Sequence, residues 1–423
     1  MAIARRVISL TRPRGSIEHR LHSRPATTLV AICAAGALAF GCGNLLTTKP
    51  PAGERFDEPI AGLSNGELGS FQTGHTQFRK AFSIDEGLGP IFNNVSCASC
   101  HSGDGRGTPG NILVRFSRGT DLDLAEGGPQ IQDKAIPGAT AEQLPAGVDV
   151  SHRLPPPVFG VGLIEAIPES TILSHEDPND ADGDGISGRA NWVTPAAYVP
   201  GTELGGGPGP RVGRFGRKAS VSSLLQQTVE AYHQDMGITS EYRPSENVNP
   251  LAPAPAGVDR APDPEVGSDK IDALMQYMRM LAPPDPGEWT DQRRRGEALF
   301  QSAHCATCHV PTMRTGAHDI EALAYKDVTL YSDLLLHDMG DGLADNRPDG
   351  SADGHEWRTA PLWGLRIAKE FLNGTLLLMH DGRAHSVDEA IRLHAGEATG
   401  AHDAYVAMPL ADQQALDNFV ESR

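Results

Sequence analysis

Apolar positions recur at helical spacing in a few short segments, separated by long stretches rich in Gly and Pro. Between Asp269 and Leu281, the residues Ile271, Leu274, Met275, Met278 and Leu281 fall on one face of a helix. Shorter patterns of the same kind cover Ser223 to His233, Asp291 to Gln301, Ser386 to His394 and Ala411 to Glu421. Ser386, with Glu389 three residues on, is a helix start signal. Alternating patterns that would mark strands are sparse. The pattern predicts a mainly α protein, its short helices joined by long loops.

Near the N-terminus the pattern changes. An Arg-bearing stretch precedes an apolar run from Leu29 to Phe40, at about 12 residues too short to span a bilayer and suited to a signal sequence. The run ends in Leu38-Ala39-Phe40-Gly41-Cys42-Gly43, which is similar to a bacterial lipobox. Residues 1–42 are therefore expected to be a leader, with Cys42 lipidated, or with simple cleavage nearby. General secretion is the expected route despite Arg5-Arg6, which places the protein in the bacterial periplasm or anchored by lipid to the outer membrane. Further on, residues 249–263 are rich in Pro and Ala, and Pro283-Pro284-Asp285-Pro286 follows the Asp269 to Leu281 helix. These signals divide the chain at 43–284 and 285–423.

Composition sharpens this picture in two ways. The 423 residues include 47 Gly and 32 Pro with only 5% aromatics, so the cores are expected to be completed by cofactors. The net charge is −18 although the leader holds six Arg against one acid, which disfavours nucleic acid as a partner and permits an encounter with a basic redox protein.

The chemistry is carried by Cys97-Ala98-Ser99-Cys100-His101 and Cys305-Ala306-Thr307-Cys308-His309. In each C-x-x-C-H, two thiols are spaced to bond a haem's vinyl groups, and the histidine is placed to ligate its iron. Two covalently bound haems c are expected. A zinc site would need a second ligand pair nearby, and neither copy has one. A thioredoxin-like dithiol would sit in a βαβ pattern that is not seen here.

The chain also repeats itself. An aromatic stands five residues ahead of each motif, Phe92 and Phe300. Arg153-Leu154-Pro155-Pro156-Pro157-Val158-Phe159-Gly160 is echoed by Arg358-Thr359-Ala360-Pro361-Leu362-Trp363-Gly364, and Gly216-Arg217-Lys218-Ala219-Ser220-Val221 by Gly382-Arg383-Ala384-His385-Ser386-Val387. Matched pairs in the same order point to duplication.

With these residues in view, the segment from about residue 70 to 423 resembles the dihaem oxidoreductase family. It resembles more distantly the bacterial dihaem cytochrome c peroxidases and the related enzyme that matures a tryptophan-derived quinone cofactor. The resemblance rests on Gly87-Leu88-Gly89-Pro90-Ile91-Phe92-Asn93, Gly213-Arg214-Phe215-Gly216-Arg217-Lys218-Ala219, Asp235-Met236-Gly237-Ile238-Thr239 and Leu378-Met379-His380-Asp381-Gly382-Arg383. It implies two cytochrome c-like haem domains in tandem. It also implies reduction of a peroxide at the first haem, with electrons entering at the second from a donor such as a small cytochrome c. A pure electron-transfer cytochrome and an oxidase of a protein or small molecule are the alternatives.

The resemblance also suggests roles. Asp235 matches the peroxidases' proton-handling Glu, one methylene shorter, with Gln227 eight residues earlier on the same face as its positioning partner and Glu165 as a reserve acid in an apolar stretch. The distal ligand of the second haem falls on His394, with Met408 as the rival. Trp192 matches loosely a bridging tryptophan, or else packs in the core. His337 and His380 match positions near the second haem.

Asp180-Ala181-Asp182-Gly183-Asp184-Gly185 has carboxylates at positions 1, 3 and 5 and glycine at 6, as in a calcium loop. Position 12 is Asn191 in place of the usual Glu, which makes the site weaker or differently closed, with a solvated acidic turn as the alternative.

Overall fold

A computed structural model describes residues 55–423 apart from 104, 202 and 204–208. The expected leader and Cys42 lie outside the described residues. Eleven helices follow in order: α1 (Asn65–Arg79), α2 (Cys97–Cys100), α3 (Val161–Glu165), α4 (Glu169–Leu173), α5 (Leu224–Met236), α6 (Ser268–Met280), α7 (Asp291–Ser302), α8 (Leu365–Phe371), α9 (Val387–Leu393), α10 (Thr399–Val406) and α11 (Leu410–Glu421). Strands are short and form five two-stranded antiparallel ladders. They pair β1 (Ile91–Phe92) with β3 (Lys134–Ala135), β2 (Leu113–Ser117) with β4 (Asp149–Arg153), and β5 (Trp192–Val193) with β6 (Arg211–Val212). The others are β7 (Met313–Arg314) with β8 (Asp327–Val328), and β9 (Leu336–Asp338) with β10 (Glu356–Arg358). The mainly α expectation holds.

All five helices expected from the apolar pattern form, within a few residues of their expected ends. Ser386 caps α9 by accepting from the Glu389 amide at 3.1 Å, while the Glu389 carboxylate reaches one residue further back, to the His385 amide at 2.7 Å. The 15-residue α1 is new. Its sequence is mostly polar, and only Phe71, Gly74 and Phe78 are buried.

One construction occurs twice. α1 crosses α6 at Gly74, where an added Cβ would collide with the Ala273 carbonyl and lie 2.5 Å from Tyr277 Cβ. α7 crosses α11 at Gly296, where it would collide with the Ala415 carbonyl and lie 2.6 Å from Phe419 Cβ. Four residues after each glycine an aromatic faces the motif histidine: Phe78 to His101 and Phe300 to His309 both have ring centroids 6.3 Å apart. Phe78, on the helix that the apolar pattern missed, is therefore the counterpart of Phe300. Phe92 pairs with Lys134 in a ladder instead.

The two halves share one apolar core, running from Phe56 to Val420. Residues on both sides of the boundary expected after residue 284 contribute to that core. At the seam the echoed dipeptides meet: the ring of Trp363 covers Gly160, and the ring of Phe159 covers Gly364. Both glycines cap a helix in the left-handed region, at φ +72° and +73°, where a side chain is strained even before it meets the ring.

Candidate functional site

The first C-x-x-C-H borders a cavity. Cys97 to Cys100 forms one helical turn, started by Ser96, whose side chain accepts from the Ser99 amide at 3.1 Å. Beside it opens a cleft of about 1260 Å³, its mouth included, bordered by Cys97, Cys100, His101, Phe159, Trp363 and one face of α5. That face presents Gln227, Ala231 and Asp235, spaced four residues apart. The walls are otherwise mostly apolar, as a haem's faces require.

Asp235 is fixed from three directions. Its backbone carbonyl accepts the amides of Asn93 at 2.8 Å and Asn94 at 2.9 Å, which ties the end of α5 to the segment leading into Cys97. Its Oδ1 accepts from Gln130 Nε2 at 2.7 Å, and Gln130 also donates to Asn93 Oδ1 at 3.1 Å. Burial pushes the carboxyl up to about 6, against the opposing pull of the Gln130 bond and of Arg115. The side chain that positions Asp235 is thus Gln130, and Gln227 is not. At eight residues' separation, Gln227 sits about 12 Å further along the helix. Nothing local in the sequence marks Gln130, which is 105 residues away.

Glu165 takes a different place from the one expected. Wholly buried, it receives Arg279 at both oxygens, Nε to Oε2 at 2.6 Å and Nη2 to Oε1 at 3.1 Å. It locks α3 to α6, and its lone pairs are already engaged. Trp192 is 46% exposed on β5, so it is not a core residue; Trp357 and Trp363 are the buried indoles among the described residues.

Around the second motif, two imidazoles are oriented by backbone carbonyls. His309 Nδ1 lies 2.9 Å from the Tyr331 carbonyl, and His394 Nδ1 lies 2.7 Å from the Ala390 carbonyl. A carbonyl only accepts, so each imidazole donates from Nδ1 and keeps the Nε2 lone pair for a metal. Burial pushes His309 down to about 4, with His394 among the groups that lower it further. Burial lowers His394 too, so both rings are neutral near pH 7 and each could offer Nε2 to a metal.

His337 lies beside this site. Its Nε2 meets Asp333 Oδ2 at 2.8 Å and its Nδ1 meets Glu397 Oε2 at 2.8 Å, with Cys308 Sγ 3.7 Å away. Burial alone would lower its pKa, but these bonds outweigh it and hold the ring well above the ordinary histidine range. Cys308, Asp333 and His337 could group around a metal, but both ring nitrogens are engaged by carboxylates. His380 stacks on Trp357, with ring centroids 3.7 Å apart.

The thiols themselves argue against a dithiol redox centre, which needs a lowered pKa. Burial pushes Cys100 up to about 11 and Cys305 up to about 12, and raises Cys308 as well.

Asp180, Asp182 and Asp184 come together as the sequence suggests, with carboxylate oxygens within 4.8 Å of one another. Asn191 stays out of that loop. Its amide is buried and committed to the Lys218 and Asp349 carbonyls and to Ser351.

No curated protein sequence matches this chain. Among solved structures, hydrazine synthase of Kuenenia stuttgartiensis is similar at 14% identity and a TM-score of 0.37, over 96% of this chain and 100% of that one. A MauG-like protein associated with microbial copper homeostasis is similar at 16% identity and a TM-score of 0.37, over 89% and 94%. At these scores neither speaks to the site. The family described as "Di-haem oxidoreductase, putative peroxidase" matches residues 39–118 and 132–423, a span that includes both C-x-x-C-H motifs. An oxidoreductase with haem cofactors follows, and the chain belongs to the di-haem oxidoreductase family.

Proposed function

We propose that this protein is an exported c-type cytochrome with two covalent haems, each carried by one of the repeated helix crossings. It reduces hydrogen peroxide at Cys97-Cys100-His101, with electrons entering at Cys305-Cys308-His309 from a redox protein such as a small cytochrome c. The observation that carries this reading is the inequality of the two motifs. The first faces a cleft with Gln227 and Asp235 on its wall. The second has His394 near enough to act on His309, and the Nδ1 bond of His394 to Ala390 leaves its Nε2 for an iron.

When bound, haem supplies the electron storage and the site at which peroxide is held. The chain supplies proton handling and exclusion of water. Reducing one peroxide to two waters takes two electrons and two protons. Asp235, held by Gln130 with a carboxyl that titrates near 6, exchanges protons readily near neutral pH. Gln227 offers an amide to the same cleft. His309 and His394 would hold the second haem from Nε2 and so leave no place for peroxide, which suits a haem that only passes electrons. Calcium at Asp180, Asp182 and Asp184 belongs to this reading as a structural ion.

The test is peroxide reduction by the matured, haem-loaded protein with a reduced cytochrome as donor, wild type against Asp235→Ala. Turnover that falls by about 10²-fold or more supports the reading. Equal rates, or none in either protein, remove the peroxidase function and leave an electron carrier.

A further inference from the structure

Part of the cavity wall is cationic, and the proton-handling residues do not account for it. Arg358 lines the cleft and donates only to backbone, from Nε to the Gly216 carbonyl at 3.0 Å and from Nη1 to the Thr359 carbonyl at 3.1 Å. Arg217, buried behind it, spends Nε and Nη2 on the single carbonyl of Leu154, at 3.0 and 2.7 Å. Arg106 follows the first motif by five residues. The segments are tied together: the Arg358 amide donates to the Arg217 carbonyl at 3.0 Å, and Gly107, next to Arg106, donates to the carbonyl of Pro155, the neighbour of the Leu154 that Arg217 holds, at 3.3 Å. Burial pushes Arg217 down to about 9, and the charges of Arg106 and Arg358 lower it further.

The nearby acids are shared with other partners: Asp333, whose charge acts on Arg358, is bonded to His337 at 2.8 Å. Asp349 is claimed by Arg153 at 2.6 Å and by Arg347 at 3.1 Å. Asp345 is likewise shared, between Lys218 at 2.7 Å and Nη2 of Arg153 at 3.8 Å, so on this part of the seam two acids serve three cations. Asp381, which faces Arg217, is already bonded by Arg383 at 2.7 Å. Buried cations with donors to spare are stable only against an anion, and paired guanidinium forks fit a carboxylate best.

A haem bonded through its vinyls at Cys97 and Cys100 presents two propionate carboxylates at its other edge. We propose that Arg106, Arg217 and Arg358 form the carboxylate receptor for the propionates of the first haem, with Arg347 and Arg153 extending its positive field. This rests on haem being bound at the first motif, as proposed above. The receptor orients the ring in the cleft and, as a set of positive charges beside it, favours the ferrous state.

The experiment uses full-length, haem-loaded protein and two variants, Arg358→Leu and Arg358→Lys. Reduction potentials of both haems are measured by spectroelectrochemical titration, and the propionate bending bands by resonance Raman in H₂O and D₂O. Arg358→Leu is expected to lower the first haem's potential by about tenfold in its ferric/ferrous equilibrium, or about 59 mV for one electron. Arg358→Lys should recover most of that. An unmoved first haem, or a shift confined to the second, overturns the proposal. Should Arg358→Leu fail to fold, the wild-type spectrum still decides, because propionate bands insensitive to deuterium would overturn it. A chain with no haem on Cys97 and Cys100 would instead refute the functional reading, and mass spectrometry of the matured protein separates that case.

Discussion

At the scale of single residues, the chemistry was partly legible and partly hidden. Asp235 and the motif histidines stand in short patterns that announce their use, and the structure sets Asp235 on the cleft beside Cys100. Gln130, which holds it, has no such pattern, because the contact is made by folding across 105 positions. Glu165 was misread for a physical reason: an apolar stretch implies burial, but Arg279, supplied by another helix, turns a buried acid into an ion pair. If Asp235 must be ionised to take a proton, peroxide turnover should rise with pH through a limb near 6 and level off above it. Asp235→Asn should lack that limb, as a pH profile of kcat will show. His337 supports a second prediction. Its removal leaves Asp333 and Glu397 buried against each other, so His337→Ala should cost about 3 to 5 kcal/mol by denaturant titration. The ring's pKa is raised on folding. Its contribution is therefore full below the ordinary histidine value and is lost as pH rises through the raised one.

At the scale of elements, helices with an apolar stripe were readable to within a few residues, because burial of one face decides where they form. α1 escaped for the opposite reason. Its fifteen residues bury only Phe71, Gly74 and Phe78, so its place is fixed by a close backbone crossing rather than a stripe. The same crossing at Gly296 gives a matched test. Gly74→Ala and Gly296→Ala would each improve helix propensity, by about 1 kcal/mol if the site were open. In these positions the new methyl meets the Ala273 or Ala415 carbonyl, so both should destabilise instead, by about 1 to 3 kcal/mol. Thermal unfolding of the two variants against Gly69→Ala, where nothing lies within 4 Å, measures the difference.

At the scale of the whole molecule, the repeat was visible in the sequence but its consequence was not. Phe159-Gly160 and Trp363-Gly364 read as echoes, and folding sets each glycine under the other's ring, so the halves close on one shared core. Residues from both sides of position 284 enter that core, because linker composition marks where helices stop, not where burial stops. Across that seam the repeated motifs acquire unequal surroundings, an open cleft for one and a second imidazole for the other. The most direct test is the electron paramagnetic resonance spectrum of the ferric, haem-loaded protein, wild type and His394→Ala. One high-spin and one low-spin haem are expected in the wild type, and loss of the low-spin signal in the variant. Two low-spin haems, or a variant spectrum identical to the wild type, would contradict the account.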